Sequence, residues 1–343
     1  MRPPMTDFNI YVSTNEVPRS ALDLMRAVGK VRVYDGTAAP PRDLLLKEVA
    51  GADALFCILT EKVDAELFAR AAKLKAVANM AVGFDNIDLV EATRKGVMVT
   101  NTPDVLTETT ADATMALVLA AARRIAEGDR LIRRGGWKLR WSPMMMVGHD
   151  VHGKTLGIYG LGRIGAAVAR RASGFGMKLV YYDSNRNRDL EERLGASYVP
   201  FDDLLKEADF LTVHVPLLPS TRKSIGAKQL ALMKKTAYVI NTSRGQVIDE
   251  ASLVRALEEK TIAGAGIDVF EDEPIGPASP IAKLENVVLT PHLASASVET
   301  RTEMAMMAAR NVVAALKGEV PPNLVNREVL RAGAAPRTGV RSY

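Results

Sequence analysis

The sequence predicts an α/β protein built on two doubly wound parallel sheets. Short runs rich in β-branched and aromatic residues alternate with helical patterns from residue 155 onward. A second, shorter alternation fills the first hundred residues. A glycine turn, Gly160-Leu161-Gly162-Arg163-Ile164-Gly165, follows the apolar run Leu156 to Tyr159 and opens a helical stretch.

Taken in order, the first half offers strands at Asn9–Ser13, Val31–Tyr34, Ala54–Leu59, Ala76–Asn79 and Val97–Thr100. Pro103 breaks that pattern. A long amphipathic helix is expected from about Thr110 to Ala126, with Thr109 as cap and Asp112 as the acidic third position. The second half offers strands at Thr155–Tyr159, Lys178–Asp183, Phe210–Val215, Ala237–Thr242, Gly264–Phe270 and Val287–Thr290. Helical patterns lie between them at Arg163–Ala172, Ala227–Met233 and Glu250–Glu259, and Arg301–Lys317 is a second long helix. Two long helices flanking the later strands would carry the chain out of one domain and back. The expected domains are therefore residues 1–103 plus 297–330, and residues 104–296. Residues 331–343 are small, basic and contain Pro and Gly, and are expected to form a disordered tail.

A chain of 343 residues is long enough for two cores, and 48% hydrophobic with 25% charged residues is a globular composition. Residues 1–14 lack the apolar core of a secretory signal, and Ala113–Ala122 is far shorter than the roughly 20 residues of a membrane span. With Cys57 the only cysteine, no internal disulfide forms, so a cytoplasmic setting is expected. The net charge of +5 raises the question of a nucleic-acid partner. Glu127 and Asp129 interrupt the basic run Arg123–Arg140, and no nucleic-acid motif accompanies it. A solvated face or a subunit contact explains that run better, and surplus positive charge draws in anionic small molecules. His149 and His152 have no Cys or further His beside them, so no metal site is expected. Met144–Met146 reads as packing, and His214 as a core residue whose strand end borders the glycine turn.

A lone GxGxxG is weak, because glycine turns are common. Here a strand precedes it, a helix follows, and Asp183 stands eighteen residues past Gly165 at the end of the next strand. The glycines allow a tight turn, approach of a pyrophosphate to the backbone, and close helix–strand packing. Amides at the helix start would face the phosphates. Asp183 would bond the adenosine ribose and repel a 2′-phosphate, favouring NAD(H); Arg186 and Arg188 could instead grip that phosphate and admit NADP(H).

Three further residues follow strand ends, where parallel sheets bind ligands. Arg244, in Asn241-Thr242-Ser243-Arg244-Gly245, offers a planar fork suited to the carboxylate of a 2-oxo acid. His292, in Thr290-Pro291-His292, could protonate an alkoxide formed at C2. A carboxylate would orient its ring, and Glu271, Asp272 and Glu273 are the candidates. Each residue also has a bland reading, as a surface charge, a turn or a structural histidine. Their convergence on one rim favours chemistry.

These strings, with Asn79-Met80-Ala81-Val82-Gly83-Phe84-Asp85-Asn86-Ile87-Asp88 and Thr100-Asn101-Thr102-Pro103-Asp104, make residues 9–330 resemble the D-isomer-specific 2-hydroxyacid dehydrogenases, glyoxylate/hydroxypyruvate reductase branch. The resemblance implies a Rossmann cofactor domain inserted into a flavodoxin-like substrate domain. It implies that Arg244 binds substrate, that His292 is the acid/base and that Glu273 pairs with it. Backbone around Val82 and Gly83 would hold the substrate carboxylate. Asp268, Ser295 and Thr109 would lie near the nicotinamide, with Val215, Pro216 and Thr242 lining the dinucleotide groove beside Gly160–Gly165 and Asp183. It further implies a homodimer joined by the nucleotide domains, with an arm at about residues 127–150 carrying Trp141 toward the neighbour's site. Two departures bear on chemistry. Many NADPH-using members of the branch lack an acid at the position of Asp183, and formate dehydrogenase has glutamine where Glu273 stands. The implied reaction is hydride transfer between NAD(P)H and a short 2-oxo acid, glyoxylate or hydroxypyruvate, giving the D-2-hydroxy acid. The alternatives are another substrate within the family, such as 3-phosphoglycerate, phosphite or a bulkier 2-oxo acid, and a dinucleotide-sensing binding protein like the corepressors that share this scaffold.

Overall fold

The computed structural model describes residues 8–36 and 38–332. The chain divides into two compact units, one from residues up to Leu106 together with those from Ser297, the other Thr107–Ala296. A helix at Val329–Ala332 takes in the first two residues of the expected tail, and the rest of that tail lies outside the described residues.

The first unit holds a parallel sheet of β1 (Phe8–Val12), β2 (Gly29–Val33), β3 (Ala54–Cys57), β4 (Ala76–Asn79) and β5 (Met98–Thr100), in the order β2-β1-β3-β4-β5. Every residue of β3 and β4 is buried, which is why these strands read as continuous apolar runs without alternation. Two of its helices begin where a side chain satisfies a free amide: Asp64 accepts from Leu67 N at 3.2 Å and Asp88 from Glu91 N at 2.9 Å. Leu45, Val49, Leu67, Val77 and Val99 share the core on one face. The returning C-terminal segment is fastened by Asn326, whose Oδ1 accepts from Val99 N at 2.8 Å and whose Nδ2 donates to Val97 O at 2.9 Å.

The second unit holds seven parallel strands, β6 (Thr155–Tyr159), β7 (Lys178–Tyr182), β8 (Ala196–Tyr198), β9 (Phe210–Val213), β10 (Tyr238–Asn241), β11 (Gly264–Ile267) and β12 (Val287–Leu289). Their order is β12-β11-β10-β9-β6-β7-β8. The direction of winding reverses between β6 and β9, the switch point where such sheets bind ligands beyond their carboxyl ends. Leu204, Leu205, Leu230 and Leu253 pack on one face, and Met115, Val118, Ala167 and Val168 on the other.

Several expectations need correction. The helix placed from Thr110 to Ala126 is two helices, Thr107–Ala122 and Ile125–Arg133, broken by Arg124 in the left-handed region at φ 54°. Thr109 and Asp112 are therefore within the first helix and form no cap. Asp112 instead pairs with Arg171 at 2.7 Å, and Glu108 with Arg170 and Arg171. Strand β8 was not foreseen, since three residues, Ala-Ser-Tyr, carry no readable period. Strand β11 stops at Ile267, which leaves Asp268 and Phe270 in the following loop. Met144 is 75% exposed rather than packed.

His214 follows β9, and its Nε2 is closed off from solvent with no partner among the described residues. Burial pushes the imidazole down to about 3. In an unfolded chain the same ring takes up a proton near 6.5, so stability falls as pH drops from about 6.5 toward 3. Replacing His214 with Leu should reduce the stability lost between pH 7 and pH 5 by on the order of 1 kcal/mol, read from denaturant midpoints. Parallel pH dependences in the two proteins would count against this account.

Candidate active site

The glycine turn occupies the switch point. Gly160 has φ +98°, and a Cβ there would lie 2.9 Å from Val215 N. A Cβ on Gly165 would lie 2.2 Å from Gly160 O. Sterics therefore require glycine at both places, and the turn sits directly against the Val215–Pro216 segment after β9. Gly162 is different: its Cβ would meet nothing within 4 Å, and it stands at the start of the helix Arg163–Ser173 without a side-chain cap. Open space at a helix start with free amides is suited to a phosphate. Asp183, just past β7, accepts from Leu161 N at 2.9 Å through Oδ2. Its other oxygen accepts from Asn185 N at 3.2 Å. Arg186 is committed to Glu191 through Nε at 2.7 Å and Nη2 at 2.8 Å. Arg188 is the first residue of the next helix, which Asn187 caps. Thr242 turns its hydroxyl to Thr114 at 2.9 Å, in a buried contact with the helix behind the sheet.

On the same sheet, the loops after β10, β11 and β12 carry Arg244, Glu273 and His292. Asn241 shapes the first of these loops. Its Oδ1 accepts from Ser243 N at 3.0 Å and its Nδ2 donates to Arg244 O at 2.9 Å. Gly245 allows the loop to press on its neighbour, because a Cβ there would fall 1.9 Å from the carbonyl carbon of Phe270. That approach holds Arg244 close to the loop bearing Glu273.

His292 Nδ1 and Glu273 Oε2 are 2.8 Å apart. Glu273 Oε1 accepts from Phe270 N at 2.9 Å, so both carboxylate oxygens are fixed. Partial burial pushes the Glu273 carboxyl up, but the hydrogen bonds from His292 and Phe270 and the charges of His292 and Arg244 outweigh it. The net result lies below the ordinary carboxylate value. Of the three candidate carboxylates, Glu271 is engaged elsewhere: it accepts from Glu250 N at 2.9 Å and pairs with Lys223 at 3.0 Å. Asp272 has no recorded contact with the ring.

His292 has φ 51°, a left-handed conformation that costs a non-glycine residue about 1 kcal/mol. Asp268 accounts for how it is held. This 1%-exposed carboxylate accepts from Thr290 Oγ1 at 2.6 Å, Leu293 N at 2.8 Å and Ala294 N at 2.9 Å, while its carbonyl accepts from His292 N at 2.9 Å. Expected beside a nicotinamide, Asp268 spends its side chain on the histidine loop. Ser295 continues that loop and is partly exposed.

The remaining expected residues lie on other elements. Val82 and Gly83 belong to the first unit, on the loop after β4. Trp141 follows the helix Ile125–Arg133 and is 75% exposed, as part of a segment that also exposes Trp137, Leu139 and Met144. Thr109 lies in the first turn of the helix Thr107–Ala122 and is partly buried. A cavity of about 580 Å³ opens at the amino-terminal end of β10–β12, lined by Arg124, Tyr238 and Val287 among others, and contains none of Arg244, Glu273 and His292. Among the described residues, no group of three or more His, Cys, Asp or Glu could hold a metal, and no helix is long and apolar enough to cross a membrane.

A family profile described as "D-isomer specific 2-hydroxyacid dehydrogenase, NAD binding domain" matches residues 115–294. The glyoxylate reductase of Korarchaeum cryptofilum is 55% identical over 318 residues, covering 93% of this chain and 96% of the relative. The chain belongs to the D-isomer-specific 2-hydroxyacid dehydrogenases. Among solved structures, the TT0316 protein of Thermus thermophilus superposes with TM-score 0.87 at 43% identity, covering 92% of this chain and 99% of that one. The NADPH-dependent glyoxylate/hydroxypyruvate reductase of Sinorhizobium meliloti, in complex with NADP and malonate, gives 0.80 at 33% identity, covering 94% and 98%. This dehydrogenase is thus an NAD(P)-dependent oxidoreductase. The open cradle at Gly162, the helix start and Asp183 fit a dinucleotide.

Asp268, expected near the nicotinamide, and Asn241 make supporting contacts that the sequence does not disclose, and these shape the loops bearing His292 and Arg244. Polar residues placed where strands end were the available signal.

Proposed function

We propose that this dehydrogenase reduces glyoxylate or hydroxypyruvate to the D-2-hydroxy acid, with NADH preferred over NADPH. The reading is carried by the 2.8 Å contact of Glu273 with His292 Nδ1, in a unit where the charge of Arg244 acts on that carboxylate. NAD(P)H supplies the hydride when bound; the backbone around Gly160–Gly165, Val215 and Pro216 would hold it. Arg244 binds the carboxylate and polarises the C2 oxygen of the 2-oxo acid, and the Val82–Gly83 backbone holds the carboxylate. Because Nδ1 is committed to Glu273, Nε2 is the nitrogen that delivers the proton to the oxygen at C2. One proton is thus taken up for each 2-oxo acid reduced, and one is released in the reverse direction.

Removing the imidazole in His292→Ala should lower kcat for glyoxylate reduction at least about a hundredfold. In Glu273→Gln the carboxylate that holds Nδ1 is gone, so kcat for glyoxylate reduction should also fall, by at least about tenfold. Near-normal turnover in either variant would remove the pair from the mechanism.

The NADH preference rests on Asp183, whose carboxylate stands at the glycine turn, and on Arg186, which is bound bidentately to Glu191 and so withheld from a 2′-phosphate. Steady-state kcat/KM should favour NADH by at least about tenfold, and Asp183→Ala should narrow that ratio. A wild-type preference for NADPH refutes it.

The functional form is a homodimer. Ile125, Ile132, Trp137, Leu139 and Trp141 are each more than half exposed in the single chain, an apolar surface that a second copy would cover. Light scattering should give about twice the 37.1 kDa chain mass, and Ile132→Asp should shift the protein toward monomer. A wild-type monomer at micromolar concentration would rule the dimer out.

A further inference from the structure

Three successive peptides of the loop after β4 are held by their carbonyl oxygens. Ala81 O accepts from Thr102 N at 2.8 Å, Val82 O from Asn101 Nδ2 at 2.8 Å, and Gly83 O from Asn79 Nδ2 at 2.9 Å. None of these peptide bonds is cis. In a planar trans peptide the C=O and N–H point in opposite directions, so the amides of Val82, Gly83 and Phe84 point away from these donors. Among the described residues those three amides make no hydrogen bond, and Val82 and Gly83 are only half-buried. Successive free amides form a site for an anion without any cationic side chain. Asp85, next along the loop, is engaged in an interaction of its own.

The orientation of Asn79 is dictated by its surroundings. It is fully buried, its Nδ2 also donates to Asn86 Oδ1 at 3.2 Å, and its Oδ1 receives the Cys57 thiol. Asn86 in turn gives Nδ2 to Ile58 O at 3.1 Å and Glu61 O at 3.0 Å. The buried Glu61 carboxylate closes the network by accepting from Ile58 N at 2.7 Å and Ser13 Oγ at 2.9 Å. Reversing the Asn79 amide would set oxygen against two oxygens at once. The network thus transmits a fixed geometry from β1, β3 and β4 to the loop.

We propose that Asn101 and Asn79 are positioning residues: by holding the Val82 and Gly83 carbonyls they turn a row of backbone amides toward the substrate, where it receives the carboxylate of the 2-oxo acid. This rests on the reading that a 2-oxo acid is the substrate and that the Val82–Gly83 backbone binds it. Asn101 acts through the peptide plane it pins.

The test is steady-state kinetics of Asn101→Ala with glyoxylate and NADH, alongside thermal unfolding. The KM for glyoxylate should rise at least about tenfold, kcat should fall by less, and the KM for NADH should stay within about twofold, the pattern of lost substrate binding. The melting temperature should remain within a few degrees of wild type. Asn79→Asp keeps the side-chain size while removing both donors and should behave alike; should it fail to fold, Asn101→Ala decides alone. An unchanged glyoxylate KM in folded Asn101→Ala overturns the proposal, as does an equal weakening of glyoxylate and NADH. A wild-type enzyme that reduces neither glyoxylate nor hydroxypyruvate with either cofactor overturns the underlying reading instead.

Discussion

An imidazole moves protons in a defined direction only when one of its nitrogens is committed and the other is left for the substrate. In this protein the commitment is the contact between Glu273 Oε2 and His292 Nδ1, and much of the second unit serves to maintain it. Glu273 is fixed by the amide of Phe270. Phe270 is fixed by the close approach of Gly245, where even a methyl group would collide with its backbone. His292 is kept in a left-handed conformation by the buried carboxylate of Asp268, which binds the residues on both sides of it.

The same device recurs wherever a strand ends at functional backbone. Asn241 closes the Arg244 loop, Asp268 closes the His292 loop, and Asp183 accepts from the glycine turn itself. In the first unit Asn79 and Asn101 perform this service for the loop after β4. Short side chains of fixed geometry can satisfy a backbone group while choosing which way its peptide faces. A longer amide such as glutamine would add a rotatable bond and lose that choice.

Electrostatics act at short range here. Arg186 is neutralised by Glu191, and the helix Arg163–Ser173 has its basic end tied to Glu108 and Asp112. The charge that matters to chemistry is local: Arg244 and His292 keep Glu273 ionised against the effect of its burial.

By itself the sequence determined the class of fold, the glycine turn and the candidate site residues, because each leaves a local mark. Period and composition mark the strands, steric necessity marks Gly160 and Gly165, and unusual polar residues after apolar runs mark Arg244 and His292. Spacing could not decide among Glu271, Asp272 and Glu273, since three adjacent carboxylates look alike along a chain. The family resemblance pointed to Glu273, and the tertiary structure separates the three by contact, giving Glu271 to Lys223 and Glu250 N and Glu273 to the histidine. It also decided the break at Arg124, the short edge strand Ala196–Tyr198 and the work of Asp268 and Asn101. The physical reason is common to all of these: a hydrogen bond between residues distant in sequence leaves no period and no composition, and exists only once the sheets have brought its partners within reach.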